Sequence, residues 1–189
     1  MTEAPDAHGW SALTLPGAWR RRVTFHADGR GAFGELWRDE WTADLPPVGV
    51  QPGMRQANLS RSDARVLRGL HVHRRQADLW VIVDGHPFVA LVDVRPVLTG
   101  ARPPAVETLD AGPGDTLYLP AGVAHGFYAR DPITLVYLVT NVYDGTDELG
   151  FAWDDPDAAV PWPDRAPILS GRDTSAPPLR ELVDRLRGG

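Results

Sequence analysis

Short apolar segments separated by turn residues run through most of this 189-residue chain. Segments of this length that are rich in β-branched and aromatic residues predict β-strands, and they fall at residues 21–26, 32–37, 79–83, 88–94, 106–109, 116–119, 125–129 and 133–143. Asp28-Gly29 and Asp84-Gly85-His86-Pro87 lie between neighbouring segments and predict tight turns. Many short strands with regular turns are typical of a β-sandwich or barrel.

Helical periodicity is confined to the C-terminal end of the chain. In residues 178–186, Leu179, Leu182, Val183 and Leu186 recur at the spacing of one helix face. Residues 42–55 and 95–114 are rich in proline or glycine and are predicted to be loops, the second around the short strand at 106–109. We expect one domain, with an N-terminal arm over about residues 1–55, a barrel over about 56–145 and a C-terminal tail and helix over about 146–189.

Cysteine and lysine are both absent from the chain, and their absence excludes several kinds of catalytic and structural chemistry. There is no cysteine, which excludes disulfides, thiolate catalysis and cysteine metal sites. All 19 positively charged residues are arginine, so no lysine can form a Schiff base. The net charge is -6 and no basic run exceeds Arg20-Arg21-Arg22, which disfavours nucleic acid as a partner. With no apolar run of about twenty residues and no secretory signal pattern, we expect a cytoplasmic protein without a membrane partner.

Three histidines are predicted to meet inside the barrel. His71 and His73 are two residues apart, so on a strand they face the same side. His125 follows a Pro-x-Gly turn, where a partner strand can bring it close to them. The spacing His-x-His-x4-Asp-x6-Gly, which ends at Gly85, followed by Gly-x5-Pro-x-Gly-x2-His, resembles the paired motifs of the cupin superfamily. That resemblance implies a double-stranded β-helix, the jelly-roll barrel.

A longer series of motifs resembles the dTDP-4-dehydrorhamnose 3,5-epimerase family and covers roughly residues 20–180. The motifs are Gln56-x-Asn58-x-Ser60, Val66 to His71, Leu119 to Phe127, Tyr137 with Thr140 to Tyr143, Trp153 to Pro156, Val160 to Pro163 and Leu169 to Asp173. The resemblance implies an isomerase that needs no cofactor and acts on a nucleotide-linked 4-keto-6-deoxy sugar, with dTDP as the expected nucleotide.

The family's chemistry moves a proton from one face of a carbon beside a ketone to the other, which needs a base, an acid opposite it and a way to hold the enolate. The resemblance implies that His71 is the base, Asp173 orients it and Tyr137 is the acid. Each residue also has a purely structural interpretation. His71 could be a hydrogen-bonded core histidine, Tyr137 a packed core residue, and Asp173 a surface carboxylate or helix cap.

Substrate binding and assembly are implied in the same way. The residues expected to contact the nucleotide sugar are Arg68 at the diphosphate, Gln56 and Asn58 at the sugar or phosphate, His125 and Tyr143 along the pocket, and Arg30 with Phe33 from the N-terminal arm. The alternative is that the arginines are solvated, that Phe33 belongs to the core and that His125 only stabilises a turn. Residues 20–41 could pair with a neighbouring subunit and cover an edge strand, so we expect a homodimer formed by arm exchange.

Two positions depart from the family pattern. Asp78 stands where the family has a lysine that stabilises the enolate oxygen, and His73 stands where it has glutamine. A carboxylate about 4 Å from an enolate repels it by about 4 kcal/mol at an effective dielectric constant of about 20. In one hypothesis Asp78 keeps His73 protonated and this imidazolium carries the enolate charge. In a second, His71, His73, Asp78 and His125 bind a divalent transition metal in a metal-dependent cupin enzyme, either an oxygenase or an isomerase. In a third, the protein is a non-catalytic sugar-nucleotide-binding relative.

Overall fold

Two antiparallel sheets contain most of the strands in the computed structural model, which describes residues 6, 8–43, 45, 53–100 and 103–188. The strands within these residues are β1 (Ser11–Ala12), β2 (Trp19–Arg22), β3 (Phe25–Asp28), β4 (Gly31–Gly34), β5 (Gln56–Ser62), β6 (Leu67–Val72), β7 (Asp78–Asp84), β8 (Pro87–Asp93), β9 (Ala105–Asp110), β10 (Asp115–Leu119), β11 (Val123–Ala129), β12 (Ile133–Val139) and β13 (Leu149–Gly150). The helices are α1 (Asp39–Ala43), α2 (Arg95–Leu98), α3 (Gly171–Thr174) and α4 (Leu179–Gly188).

The strand order is that of a two-layer antiparallel fold. One sheet has the order β1-β2-β10-β7-β12-β5 and the other β13-β6-β11-β8-β9. Apart from β1–β2 and β8–β9, neighbouring strands in each sheet are not consecutive in the sequence, as in a jelly roll. The predicted all-β class is confirmed.

The main core lies between the two sheets. Apolar residues at alternate positions of β7, β8, β10 and β11 face one another there, among them Ile82, Leu91, Leu117 and Phe127. A second cluster packs α4 against the outside of the five-stranded sheet through Leu179, Leu182 and Val183, the predicted helix face. Among the described residues, no helix is long and apolar enough to cross a membrane.

The predicted turn at Asp28-Gly29 is confirmed, because β3 and β4 pair with each other from Phe25↔Gly34 to Asp28↔Gly31. The predicted strand boundaries around it were wrong: β2 ends at Arg22, β3 begins at Phe25 and β4 ends at Gly34. The hairpin forms a sheet of its own in the described chain and exposes most of its surface.

Other predicted boundaries also differ. β12 ends at Val139 rather than at residue 143. The segment 95–114 contains α2 ahead of the predicted strand, which is confirmed as β9. The predicted loop 42–55 begins inside α1, and its residues 44 and 46–52 lie outside the described residues. Pro96 in the first turn of α2 fits a helix start, where a missing N–H costs nothing.

Candidate active site

Two adjacent strands bring the first pair of histidines together. In the antiparallel register of β6 and β11, His71 lies opposite His125, so both side chains project from the same face. The strands approach unusually closely beside this pair: a Cβ on Gly69, which has φ +136°, would lie 2.6 Å from the Cα of Gly126. Glycine is therefore required at position 69, where it allows the contact between strands that positions His71.

A turn brings His73 to the same place. The predicted Pro-x-Gly turn is formed, with the Val123 N–H donating to the Pro120 carbonyl at 3.1 Å and with Gly122 at φ +79°. The Gly122 N–H donates to the His73 carbonyl at 2.8 Å. This bond links the segment just after β6 to the start of β11, and the predicted convergence of His71, His73 and His125 follows from it.

His71 is held by a carboxylate from the C-terminal tail. His71 Nε2 lies 2.7 Å from Asp173 Oδ1, and Asp173 is only 5% exposed. The other carboxylate oxygen accepts from Ser170 Oγ at 2.8 Å, and Ser170 in turn caps α3 by accepting from the Asp173 N–H. Burial raises the pKa of Asp173, but hydrogen bonds from His71 and Ser170 and the charges of His71 and Arg172 outweigh it and hold this pKa below its ordinary value. An ionised Asp173 can stabilise a protonated His71.

A second group of charged and ring atoms lies beside this pair. One ligand atom from each of His73, Asp78 and His125 lies within 4.8 Å of the others, and all three residues are buried. Asp78 Oδ2 lies 3.6 Å from His125 Nε2 and its Oδ1 accepts from Gln76 Nε2 at 2.8 Å, so its closest imidazole in the described chain is His125 rather than His73. Burial lowers the pKa of His125 to about 4, aided by His73 and His71 and opposed by Asp78. His71 bonds to Asp173 and is not part of this group.

A cavity of about 230 Å³ lies between the two sheets and is bordered by half of the predicted site residues. Its lining includes Arg68, His71, His73, Asp78, His125 and Tyr137, together with Ser60, Gln76, Trp80, Phe127, Leu135, Glu148 and Arg172. Tyr137 comes from β12 in the sheet opposite His71. Burial, and then the charges of Asp78 and Glu148, raise the pKa of Tyr137 against the effect of Arg68. The phenol therefore stays protonated at neutral pH, as a proton donor must.

A second cavity of about 280 Å³ adjoins the first and contains three more predicted residues, Gln56, Asn58 and Tyr143. Gln56 Nε2 donates to Asn58 Oδ1 at 2.8 Å, and the Tyr143 N–H donates to Gln56 Oε1 at 3.0 Å. Both cavities are lined by His73, Gln76, Tyr137 and Glu148, so they lie side by side, and we call the two together the recess.

The cavity has one arginine that is available for an anion. Arg68 donates to Ser62 Oγ at 2.9 Å and to the Arg61 carbonyl at 3.3 Å, and no carboxylate of a described residue lies within ion-pair distance of it. Arg172 also borders the cavity, but it pairs with Glu148 at 2.7 Å. Arg68 is therefore the better candidate for a phosphate group.

Arg30 and Phe33 line neither cavity. Both lie on the β3–β4 hairpin, where Phe33 is 68% exposed and Arg30 pairs with Asp28 at 2.6 Å. The predicted contact with substrate across a subunit boundary is untested within one chain and stays a prediction, as do the roles predicted for the residues inside the cavity.

Sequence reasoning did not single out several residues that shape the site. Gln76 bonds to Asp78, Glu148 borders both cavities and Ser170 holds Asp173. Asp147 holds His73 through its backbone carbonyl, at 2.8 Å from Nδ1, while its carboxylate accepts from the N–H groups of Arg74 and Arg75. Only Ser170 had a signal in the sequence, the Ser-x-x-Asp pattern of a helix N-cap.

Comparisons with known proteins agree on one family. The family model described as dTDP-4-dehydrorhamnose 3,5-epimerase matches residues 12–181. The protein of that name from Mycobacterium tuberculosis is 38% identical over 178 residues, which cover 90% of this chain and 87% of that protein. A dTDP-4-dehydrorhamnose 3-epimerase from Streptomyces niveus is 35% identical over 176 residues, covering 91% of this chain and 84% of that protein.

Solved structures show the same likeness. A 4-keto-6-deoxy sugar epimerase from the novobiocin biosynthetic gene cluster of Streptomyces spheroides superposes with a TM-score of 0.80 at 31% identity, covering 99% of this chain and 92% of that one. A 3,5-epimerase from Legionella pneumophila in complex with dTDP-4-keto-L-rhamnose also gives 0.80, at 27% identity, with 92% and 94% covered.

Proposed function

This chain belongs to the dTDP-4-dehydrorhamnose 3,5-epimerase family, and from that premise we propose that its cavity binds a dTDP-linked 4-keto-6-deoxy sugar and inverts a carbon beside the ketone. The observation that carries the proposal is the pair of His71 and Asp173 at the edge of that cavity, with Nε2 and Oδ1 2.7 Å apart. This is the arrangement of a general base whose protonated form is stabilised by a buried carboxylate.

The hydrogen bond also supports Nδ1 as the nitrogen that takes the proton. A carboxylate accepts, so His71 donates from Nε2–H and keeps its lone pair on Nδ1. His71 Nδ1 removes the proton, and the C–H electron pair forms a double bond while the ketone oxygen gains negative charge. Tyr137, on the opposite sheet, returns a proton to the other face. Only protons are exchanged, so these steps require no organic cofactor.

The recess has room and partners for the rest of the substrate. Arg68 would bind the diphosphate, because its guanidinium has no carboxylate partner among the described residues and can bind phosphate oxygens in a bidentate manner. Gln56, Asn58 and Tyr143 border the adjoining cavity and would bind the sugar or the nucleotide.

The enolate oxygen needs a positive partner, and we infer from the motif resemblance that Asp78 stands where the family has a lysine. A bare carboxylate at this place would oppose the reaction by about 4 kcal/mol at about 4 Å and an effective dielectric constant of about 20, or roughly three orders of magnitude in rate. We infer that the wall formed by His73, Asp78 and His125 holds a positive charge, either as a proton on His73 or as a bound cation.

We also propose that the protein forms a homodimer. The β3–β4 hairpin exposes Phe25 and Phe33, and β5 is an edge strand whose Leu59 is 60% exposed. A hairpin from a neighbouring subunit would cover this open edge and its apolar residues. Light scattering coupled to gel filtration should give twice the chain mass, and a mass of one chain would contradict the dimer. A cytoplasmic location stays a prediction.

Proton exchange in heavy water tests the function directly. With a dTDP-4-keto-6-deoxy sugar as substrate, NMR should show deuterium entering beside the ketone. Deuterium at two carbons would indicate a 3,5-epimerase and at one carbon a single-site epimerase. Tight binding of the nucleotide sugar with no exchange in either the presence or the absence of added metal ions would contradict the proposal and favour the non-catalytic alternative.

A further inference from the structure

A buried trio of electron-rich groups lies on one wall of the cavity. One ligand atom from each of His73, Asp78 and His125 lies within 4.8 Å of the others, and the three residues are 6%, 3% and 5% exposed. His71 does not join them, because it bonds to Asp173. The proposed base and acid, His71 and Tyr137, are therefore separate from this trio.

Hydrogen bonds determine which nitrogen of each ring faces the trio. His73 Nδ1 lies 2.8 Å from the Asp147 carbonyl oxygen, and His125 Nδ1 lies 3.1 Å from that of Val123. A carbonyl only accepts, so each Nδ1 carries hydrogen and, in a neutral ring, Nε2 keeps its lone pair. Metal-binding histidines are oriented in this way, with the distant nitrogen donating to a carbonyl or carboxylate.

The carboxylate of Asp78 is oriented towards the same point. Its Oδ1 accepts from Gln76 Nε2, whereas Oδ2 lies 3.6 Å from His125 Nε2. That separation exceeds the usual N–H···O range of about 2.7–3.2 Å. A carboxylate oxygen and an imidazole lone pair that face each other in a buried site repel, unless a cation lies between them.

We propose that His73, Asp78 and His125 bind one divalent transition-metal ion. Two imidazoles and one carboxylate form a ligand set that Fe²⁺, Mn²⁺, Co²⁺, Ni²⁺ and Zn²⁺ accept. Three protein ligands leave coordination positions open for water or a substrate oxygen. The ion neutralises Asp78, the residue that otherwise repels an enolate.

The ion's part in the reaction rests on the proposed function. When His71 takes the proton and the C–H electron pair forms the new double bond, the ketone oxygen receives the displaced electron pair. A divalent cation bound to that oxygen stabilises the charge as a Lewis acid, and nothing is oxidised or reduced. The ion thus supplies the positive charge that this lysine-free chain lacks.

Metal binding is tested first, with untagged protein freed of metal by a chelator. Titration calorimetry with Co²⁺ and Zn²⁺, checked by elemental analysis, should give one ion per chain. Asp78→Asn and His125→Gln should each weaken binding by about 100-fold or more, since losing even a partner of a ligand costs about 10- to 100-fold. His86→Gln is the matched control, because His86 pairs with Asp131 on the surface, and it should bind like wild type. Circular dichroism checks that each variant is folded.

Two results would overturn the site: wild type that binds no ion, or equal binding by wild type and both trio variants. Deuterium exchange then tests the metal site and the proposed function separately. Metal-free wild type should exchange slowly and recover when the ion is returned. Full exchange by metal-free protein would overturn the ion's part in the reaction while the epimerase proposal stands. One tightly bound ion in a protein that never exchanges would support the metal site and contradict the epimerase proposal.

Discussion

His71 Nε2 and Asp173 Oδ1 lie 2.7 Å apart although 102 residues separate them in the chain. His71 comes from β6 in the middle of the fold, and Asp173 from α3 in the C-terminal tail. The proposed base is therefore complete only when the tail is packed against the five-stranded sheet. Because of this contact, the proposed chemistry in the cavity depends on the tail being folded in place.

The first prediction concerns acid stability. The pKa of Asp173 is lower in the folded chain than its ordinary value of 3.8. A group whose pKa is lowered by folding stabilises the folded state above its unfolded pKa, and this stabilisation is lost as the pH falls through the folded pKa. Wild type should therefore be more stable than Asp173→Asn above about pH 4, and the difference should shrink in more acidic solution. Urea unfolding at a series of pH values measures it.

Ser170→Ala serves as the control for that measurement, since it removes the bond to the Asp173 side chain and the N-cap bond from the Asp173 N–H but keeps the carboxylate and its pair with His71. It should reduce stability in the same pH range by a smaller amount. A difference between wild type and Asp173→Asn that is constant from pH 3 to pH 7 would show that ionisation of this carboxylate is not involved.

Tyr137→Phe should separate proton removal from inversion. Without the phenol, His71 still removes the proton and returns it to the same face, so deuterium enters the substrate but the carbon is not inverted. The expected ratio of exchange to inversion rises by about 100-fold, the lower end of what one general acid contributes. NMR of the sugar gives both rates. Tyr128→Phe is the control, because Tyr128 bonds to Asp164 and borders neither cavity. Equal loss of exchange and inversion in Tyr137→Phe would contradict the role of Tyr137 as the proton donor.

Features that depend on residue type and side-chain spacing within a short segment could be predicted from the sequence. The Asp28-Gly29 turn and the apolar face of α4 follow from residue type and side-chain spacing, and both are found in the structure. His71 and His73 line the same cavity, but β6 ends at Val72 and His73 is positioned by its bond to the turn at Gly122 rather than by strand spacing. Helices α2 and α3 have only four residues each, too few to show a helical period.

Strand β5 shows why the remaining elements were harder to predict. Its Gln56, Asn58 and Ser60 are half-buried, while Leu59 on the other face is exposed. This reverses the usual pattern, because the polar side of the strand faces the recess. The hydrogen-bond partner of His73 also could not be predicted from the sequence, because every residue type has a backbone carbonyl.

Arg68→Gln should weaken binding of dTDP by about 10- to 100-fold, since hydrogen bonds to charged groups are worth about 1.5–3 kcal/mol. Arg68 is the cavity arginine without a carboxylate partner among the described residues. Titration calorimetry with dTDP measures the change. Arg130→Gln is the matched control, as Arg130 pairs with Asp110 away from the cavity. Equal affinities of the two variants would place the diphosphate elsewhere.

Two glycines with the same backbone angle allow a test of the close approach between β6 and β11. Gly69 and Gly31 both have φ +136°, but a Cβ on Gly69 would lie 2.6 Å from Gly126, whereas one on Gly31 would meet nothing within 4 Å. Alanine at either position costs about 1–3 kcal/mol of backbone strain, and overpacking adds about 1–3 kcal/mol at Gly69 only. Urea denaturation should show Gly69→Ala to be the less stable variant, and equal stabilities would mean that the strands can separate without cost.

The most direct test of His71 as the base is deuterium incorporation into a dTDP-4-keto-6-deoxy sugar by His71→Asn. The variant should retain binding of dTDP and lose exchange by about 100- to 10,000-fold, the contribution of a positioned general base. His86→Asn, altered at the surface pair with Asp131, should exchange like wild type. Exchange at the wild-type rate in a folded His71→Asn protein would contradict the account.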